Sequence, residues 1–387
     1  MRLPSEHLTP AAHQALVRLS SWMPFAKAGQ EMEALLGVHV SRSTAWRHCL
    51  SVGEASLQIQ DEQAHPLSVL PEEPASAKLV MSTDGAFVPL QHGQWSEVKL
   101  VAIAQVEARQ DQAHQVGLSY FARMQEAPRF AELASSEIRR RGVERAEQVA
   151  AIQDGAEWVQ GFVRSHRRDA LRILDFAHAA QRIHAIAEVA RSLGQSLEEG
   201  WVEVQCHELK MRGPHGVLQR LKELYERSGK PAEMREDLHY FRKREEQMDY
   251  PTYQQQGWPI GSGVVESGNK VVMQARMKGP GMHWKESHVN PLLVLRTSLC
   301  NDRWQEMWQG QEQRRHTQHQ KQRLQRQQER TRKRQAREQL LRSLVLPPPP
   351  PDPVPAQKGL KGRTEAQKRW GRNVIRSSPS SLGSAKQ

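Results

Sequence analysis

The spacing of apolar residues divides the chain into a helical start, an alternating middle and a polar helical end. Five short apolar runs in the middle have the length and composition of strands, and the later ones alternate with segments of helical period. These runs are 79–81, 98–106, 116–124, 149–152 and 171–174. The order β-β-β-α-β-α-β-α predicts an α/β fold with a mixed sheet flanked by helices.

The first 60 residues are predicted to form short helices. Pro24 opens one helix, Gly37 breaks it, and Ser41 caps the next. A short helix, a glycine turn and a Ser-capped helix form the pattern of a helix-turn-helix, and an ordinary helical hairpin is the alternative. The side chains that could point outward together to contact DNA are Arg42, Ser43, Thr44 and Arg47.

Changes in composition predict the domain organisation. The polar region before the last core helices contains helical periods, and a proline run interrupts the basic end. The segments are 1–60, helical and helix-turn-helix-like; 61–77, a linker; 78–190, the first part of the core; 191–256, a helical insertion; 257–308, the last core helices; 309–346, Gln/Arg-rich and either helical or disordered; and 347–387, a proline spacer with a basic tail.

The net charge of +12 is concentrated at the C-terminal end of the chain. Residues 303–346 carry 12 Lys and Arg against 4 Asp and Glu, and residues 358–387 carry 8 against 1. A basic appendage of this kind suits a polyanionic partner such as nucleic acid, and a solvated helix and tail is the alternative. Charge alone does not decide between the two.

Other compositional features exclude several classes of protein. No apolar run approaches the length of a membrane span, and residues 1–14 lack the apolar core of a signal peptide. Cys49, Cys206 and Cys300 are far apart, so we expect reduced thiols in a cytoplasmic protein and no zinc knuckle.

A Gly-Ser-Gly turn at 261–263 opens a segment of helical period, with Ser262 or Gly263 as the expected N-cap. Val264 and Val272 would face a core. The residues that would lie on the opposite side are Glu266, Asn269, Lys270, Met273 and Arg276. The helix dipole favours the ionised form of a carboxylate in the first turn. A simple capping role for this glutamate is the alternative.

Two aspartates occur in matching settings, each after an apolar run and before Gly-Ala. They are Asp84 and Asp154. Each alone could be a turn former. Together with Glu266 they could bring three carboxylates to one place, where repulsion would favour hard divalent cations. Three carboxylates can hold two Mg²⁺ ions in the arrangement that promotes phosphoryl displacement.

Five linked motifs follow one another in the middle of the chain. They are Asp84-Gly85-Ala86-Phe87-Val88-Pro89, Trp95-Ser96-Glu97-Val98-Lys99, Asp154-Gly155-Ala156-Glu157-Trp158, Ile173-Leu174-Asp175-Phe176-Ala177-His178 and Pro259-Ile260-Gly261-Ser262-Gly263-Val264-Val265-Glu266-Ser267. Together they resemble one family, the DDE-type bacterial insertion-sequence transposases, and within it the ISKra group. The resemblance covers about residues 78–308. It implies an RNase H-like fold in which Asp84 lies on the first strand, Asp154 ends the fourth strand, and Glu266 follows a helical insertion.

The resemblance implies cleavage of double-stranded DNA at the terminal inverted repeats of an element and transfer of the 3′-hydroxyl into target DNA. Asp84, Asp154 and Glu266 would be the catalytic residues and the ligands of two Mg²⁺ or Mn²⁺ ions. Asp175 and His178 would support the site; as the alternative, Asp175 is only an N-cap. A homo-oligomer on DNA, in a bacterial cytoplasm and associated with the nucleoid, is expected.

Three further residues, Lys270, Arg276 and Lys278, are expected to contact phosphates near the cut. Two other functions are compatible with the same residues. One is a catalytically inactive or repurposed sequence-specific DNA-binding protein, and the other is an RNase H-like nuclease without strand transfer.

Overall fold

The structure is a computed structural model that describes residues 8–68, 76–109 and 112–344. The chain divides into two compact units, which meet in sequence between His319 and Gln320. The predicted spacer and tail at 347–387 lie outside the described residues, as does the middle of the predicted linker. None of the helices in the described ranges is long and apolar enough to cross a lipid bilayer.

The first unit contains five strands and most of the helices. In chain order these elements are α1 (Pro10–Trp22), α2 (Phe25–Leu36), α3 (Arg42–Gln63), β1 (Lys78–Pro89), β2 (Trp95–Arg109), β3 (Gln112–Arg123), α4 (Ala127–Arg140), β4 (Gln148–Gln153), α5 (Glu157–His166), β5 (Leu171–Leu174), α6 (Phe176–Ser192), α7 (Trp201–Arg212), α8 (Pro214–Arg227), α9 (Ala232–Lys243), α10 (Tyr250–Gln255), α11 (Gly263–Gly268), a π-helical segment (Asn269–Gln274), α12 (Ala275–Met277), α13 (Glu286–Cys300) and α14 (Trp304–Ser343), which continues into the second unit.

The sheet has the strand order β3-β2-β1-β4-β5. β1, β2 and β3 form an antiparallel meander, whereas β1, β4 and β5 run parallel. The predicted α/β fold with a hairpin-built half and a crossover half is therefore confirmed. This mixed sheet, flanked by helices, is compatible with an RNase H-like fold.

Successive residues of β1 enter cores on opposite faces of the sheet, as the two-residue period of a strand requires. Leu79 and Met81 pack with α4 and α5, whereas Val80 packs with α6 and the helices of the 191–256 segment. Both faces of the parallel half are covered, which explains why its strands are continuously apolar. The helices α7–α10 thus share a core with the sheet.

The three N-terminal helices also share a core with the sheet. Leu16, Met32 and Cys49 belong to the same apolar cluster as Leu100 of β2 and Leu293 of α13. The turn between α2 and α3 has the predicted local chemistry: Gly37 is left-handed, and Ser41 accepts a hydrogen bond from the backbone of the next helix. The helix-turn-helix assignment itself stays a prediction.

Candidate functional site

The register of the parallel strands brings three aspartates to the same level of the sheet. Ser82 of β1 is opposite Ile152 of β4, so Asp84 and Asp154 each lie two residues beyond this pair. Gln153 is likewise opposite Leu174 of β5, which puts Asp154 level with Asp175. Since paired strands are about 4.8 Å apart, the three positions are neighbours.

Asp84 lies in the middle of β1, because this strand continues beyond its pairing with β4 as a hairpin with β2. Asp84 thus lies on the first strand, as the resemblance implies. Asp84 accepts hydrogen bonds from the backbone N–H of Gly85 at 2.7 Å and from the side-chain amide of Asn269 at 2.8 Å.

Burial, and then the negative charges of Asp154 and Glu266, raise the pKa of the Asp84 carboxyl above its ordinary value. The hydrogen bond from the N–H of Gly85 opposes this shift only in part. Asp154 and Glu266 therefore both lie within electrostatic reach of Asp84, although the three acids come from β1, the end of β4 and the first turn of α11.

The loop that carries Asp154 is held by the helical segment at 191–256. The Asp154 carboxylate accepts a hydrogen bond from the N–H of Ala156 at 2.8 Å. Tyr240 donates its hydroxyl to the carbonyl of Asp154, and the Arg244 guanidinium donates to the carbonyl of Gly155. Neither Tyr240 nor Arg244 is among the predicted site residues, because both are distant from this loop in sequence and no local pattern marks them.

Glu266 is exposed in the first turn of α11, and the Ser262 hydroxyl is 3.4 Å from its carboxylate. Ser262 occupies the predicted N-cap position, but its side chain makes no capping hydrogen bond. The helix then passes through the π-helical segment, a feature frequent at functional sites. Gly268 lets this helix approach the sheet, because a Cβ there would lie 2.8 Å from the Tyr120 ring.

The π-helical segment changes which residues face the core. Buried residues occur in pairs four residues apart, at 264/265, 268/269, 272/273 and 276/277. A helix of 3.6 residues per turn would not keep this spacing, whereas the wider π turn preserves it. The predicted outward orientation is therefore wrong for Asn269, Met273 and Arg276, which are all buried.

Arg276 lies in the interior of the protein and contacts other interior groups. It is 1% exposed, donates from Nε to the carbonyl of Ser20 at 3.0 Å, and lies over the rings of Phe25 and Trp284. Burial lowers its pKa to about 10. The expectation that Arg276 contacts phosphate is corrected, because its guanidinium does not reach the surface. Lys270 and Lys278 are exposed.

Asp175, which is buried, and His178, which is partly exposed, form a pair at the start of α6. The carboxylate accepts hydrogen bonds from the His178 backbone at 3.0 Å, from the His178 Nδ1 at 2.6 Å and from the backbone N–H of Ser262 at 2.8 Å. Asp175 is therefore an N-cap, as the alternative interpretation holds, and it also anchors the loop that leads to Glu266.

Within this pair, each residue stabilises the charged form of the other. The hydrogen bond to Asp175 raises the pKa of His178, and the negative charges of Asp154 and Asp84 add to this effect. Burial alone would raise the pKa of Asp175, but hydrogen bonds from His178 and Ser262 outweigh it and lower that pKa. His178 is thus a favoured cation beside the acids.

Among the residues predicted to contact DNA at the start of α3, Arg42, Ser43 and Arg47 are exposed. Thr44 is the exception, and the prediction that it points outward is wrong. It is 4% exposed, and its hydroxyl accepts hydrogen bonds from Ser41 and Arg47. The DNA-binding role of the other three stays a prediction.

The donor chemistry of the acidic site suits a hard divalent cation, because such ions prefer carboxylate oxygens. Burial is the main cause of the raised pKa of Asp84, and repulsion from Asp154 and Glu266, which a bound cation would relieve, adds to it. Across 8–68, 76–109 and 112–344, however, no three His, Cys, Asp or Glu side chains are close enough to hold one ion as they lie.

No protein-family model matches this chain, and no curated protein sequence matches it. Among solved structures, the chain is similar to the Drosophila P element transposase strand transfer complex. The two are 9% identical with a TM-score of 0.27, and the match covers 77% of this chain and 80% of the other.

Proposed function

We propose that this chain is a DDE-type DNA transposase of the ISKra-like group, with Asp84, Asp154 and Glu266 as its catalytic acids. One observation carries the proposal: Asp84 lies level with Asp154 in the sheet and accepts a hydrogen bond from Asn269, three residues after Glu266, although the three acids are separated by most of the α/β region. Such clustering of like charges costs stability and is a common property of functional sites.

These three carboxylates would hold two Mg²⁺ or Mn²⁺ ions. When bound, the ions would lower the pKa of the attacking water or 3′-hydroxyl and would stabilise negative charge on the leaving 3′-oxygen. The protein contributes position and electrostatics. Asn269 orients the carboxylate of Asp84, and Asp175 anchors the loop before Glu266.

The DNA would lie across exposed basic residues near this site. Lys270, four residues after Glu266, and Lys278 are exposed, and their contacts with phosphates would fix the register of the duplex. Arg42, Ser43 and Arg47 would contact the terminal inverted repeats. Joining two element ends to target DNA would require a homo-oligomer on the DNA, in the cytoplasm of a bacterium at the nucleoid.

The direct test uses labelled duplexes that carry the sequences flanking the reading frame, incubated with Mg²⁺ or Mn²⁺. Asp84→Ala, Asp154→Ala and Glu266→Gln should each abolish strand cleavage and leave DNA binding largely intact. Glu199→Gln, which changes an exposed glutamate elsewhere, is the matched control and should cleave normally. Full cleavage by any of the three acid variants would refute the assignment.

Pre-cleaved duplex ends separate this proposal from the two other functions. Joining of their 3′-hydroxyl to a target plasmid supports a transposase. Cleavage without joining would indicate an RNase H-like nuclease. Binding without either reaction, at all divalent concentrations, would indicate an inactive or repurposed DNA-binding protein.

Metal binding has a readout that does not depend on activity. A ligand that binds only the folded state raises the melting temperature by mass action. Mg²⁺ or Mn²⁺ should therefore raise Tm for the wild type and for Glu199→Gln, and less for Glu266→Gln. Equal shifts in all three proteins would place cation binding elsewhere.

A further inference from the structure

The part of α14 that belongs to the second unit carries its basic residues on one face. At 3.6 residues per turn, six of its nine Lys and Arg side chains fall within about 100° of arc. Lys321, Arg332 and Arg342 lie on other faces. We call the six the basic stripe, and its members are Arg323, Arg326, Arg330, Lys333, Arg334 and Arg337.

All six members of the basic stripe are exposed. Two at its edges have acidic neighbours: Lys333 is 3.7 Å from Glu329, and Arg334 is 3.3 Å from Glu338. The other four, at 323, 326, 330 and 337, form no ion pair with any residue in the described ranges. The centre of the stripe is therefore uncompensated positive charge.

This arrangement is unfavourable for an isolated helix. Members of the basic stripe are three or four residues apart, and like charges at these spacings destabilise a helix. A solvated helix stabilised by its own surface would instead alternate positive and negative side chains along a face. A polyanion bound along the stripe would turn the repulsion into attraction.

The apolar residues of the same helix do not suit a second copy of the chain. Leu324, Leu340 and Leu341 are exposed, but they lie on three different faces of the helix. A coiled coil needs a continuous apolar seam with a heptad repeat. Charge complementarity is therefore the property by which this surface would select a partner.

We propose that the basic stripe binds the phosphate backbone of duplex DNA. From Arg323 to Arg337 the helix rises by about 21 Å, long enough to contact several phosphates. The major groove of B-DNA admits an α-helix, whereas the deep, narrow major groove of duplex RNA does not. The stripe shares no residue with the acidic site, and binding along it does not depend on cleavage.

A charge-matched pair of full-length variants tests the proposal. Arg326→Gln/Arg330→Gln/Arg337→Gln removes three charges from the basic stripe, and Lys321→Gln/Arg332→Gln/Arg342→Gln removes three from other faces of the same helix. Gln is a good helix former, so both should fold, which circular dichroism checks. Fluorescence anisotropy measures binding to a labelled DNA duplex at several salt concentrations.

Each lost phosphate contact lowers the slope of log K against log salt by about 0.9. The stripe variant should therefore lose about two to three units of slope and about tenfold or more in affinity near physiological salt. The control should lose less than about one unit. The Asp84→Ala variant should bind with the wild-type slope even though it cannot cleave.

Three results would overturn the proposal. Equal losses in both variants would mean that the charge acts diffusely, without a defined face. Unchanged slopes in both would mean that the helix does not contact DNA. Tighter, stripe-dependent binding to an RNA duplex of the same sequence would assign the surface to RNA.

Discussion

Asn269 donates its side-chain amide to the carboxylate of Asp84 across 2.8 Å. The contact joins the π-helical segment that follows Glu266 to the central strand of the sheet, so it fixes the relative position of two of the three acids. Asn269 is 4% exposed, and its side-chain oxygen has no hydrogen-bond partner among the described residues. An acceptor is therefore available at the acidic site.

Removing this amide should slow cleavage with little change in DNA affinity. A hydrogen bond to a charged group contributes about 1.5–3 kcal/mol, so Asn269→Ala should lower the single-turnover cleavage rate by about tenfold or more. Gln274→Ala, a few residues along the same helix and half-buried, is the control and should cleave at the wild-type rate.

Asn269→Asp should change the pH dependence of cleavage. The new carboxylate would add repulsion to a pKa of Asp84 that burial and the neighbouring acids already raise. Activity that needs ionised Asp84 should then be lost at a higher pH than in the wild type. Rates measured between pH 5 and 9 test this, and an unmoved acidic limb would contradict it.

The Asp175–His178 pair should make stability depend on pH. The folded-state pKa of His178 is raised, so its contribution to stability is complete below about 6.5 and is lost as the pH rises through the folded value. The folded-state pKa of Asp175 is lowered, so its contribution is present above about 3.9 and is lost at lower pH.

Urea unfolding of wild type and His178→Gln at pH 6 and pH 9 measures this effect. The wild type should exceed the variant in free energy of unfolding at pH 6, and the difference should shrink at pH 9. His184→Gln, a change on the same helix, is the control. The difference in free energy of unfolding between the wild type and this variant should not shrink from pH 6 to pH 9. A difference that grows with pH would contradict the pairing.

Two separate properties should make a glycine necessary at position 155: a left-handed backbone conformation and the lack of space for a Cβ atom. Its φ is +84°, and a Cβ there would lie 2.4 Å from Arg244 Nε and 2.8 Å from the Tyr240 hydroxyl. Gly229 has a φ of +82°, but a Cβ there would have no neighbouring atom within 4 Å among the described residues, so Gly229→Ala carries only the backbone cost.

The cost of a left-handed non-glycine residue is about 1–2 kcal/mol. Gly155→Ala should destabilise the protein by more than Gly229→Ala does, and it alone should slow cleavage, because it displaces the side chains that hold the Asp154 loop. Urea unfolding and cleavage rates give the two readouts. Equal effects from both substitutions would show that the contacts of Tyr240 and Arg244 do not matter to the loop.

Two basic residues that follow Glu266 in sequence should differ in their effect on DNA binding. Lys278 is exposed, so Lys278→Met should lower the slope of log K against log salt by about one. Arg276 is buried, so Arg276→Met should leave the slope unchanged. Both proteins are first checked for folding by urea titration. An equal fall for the two would contradict the interior position of Arg276.

Local patterns in the sequence were sufficient for the order of strands and helices in the α/β region. The apolar runs mark the strands because both faces of the parallel half are covered. Gly37 and Ser41 mark a turn and a cap because the backbone chemistry of these positions is local. The three acids could likewise be selected from residue type and setting.

Tertiary structure decided how those acids are held. The strand register that sets Ser82 opposite Ile152 brings Asp84 level with Asp154, and register depends on packing between strands. Tyr240 reaches the Asp154 loop only because the helices of the 191–256 segment pack on the sheet.

The helix after Glu266 likewise shows which features local sequence determines and which depend on tertiary packing. Its sequence predicts a helix and a carboxylate in the first turn, since both follow from nearest-neighbour preferences. A period of 3.6 residues nevertheless assigned Arg276 to the wrong face, because close packing against the sheet is accompanied by a π turn that shifts every later side chain. Local preferences determine which elements form, and long-range packing determines which way their side chains point.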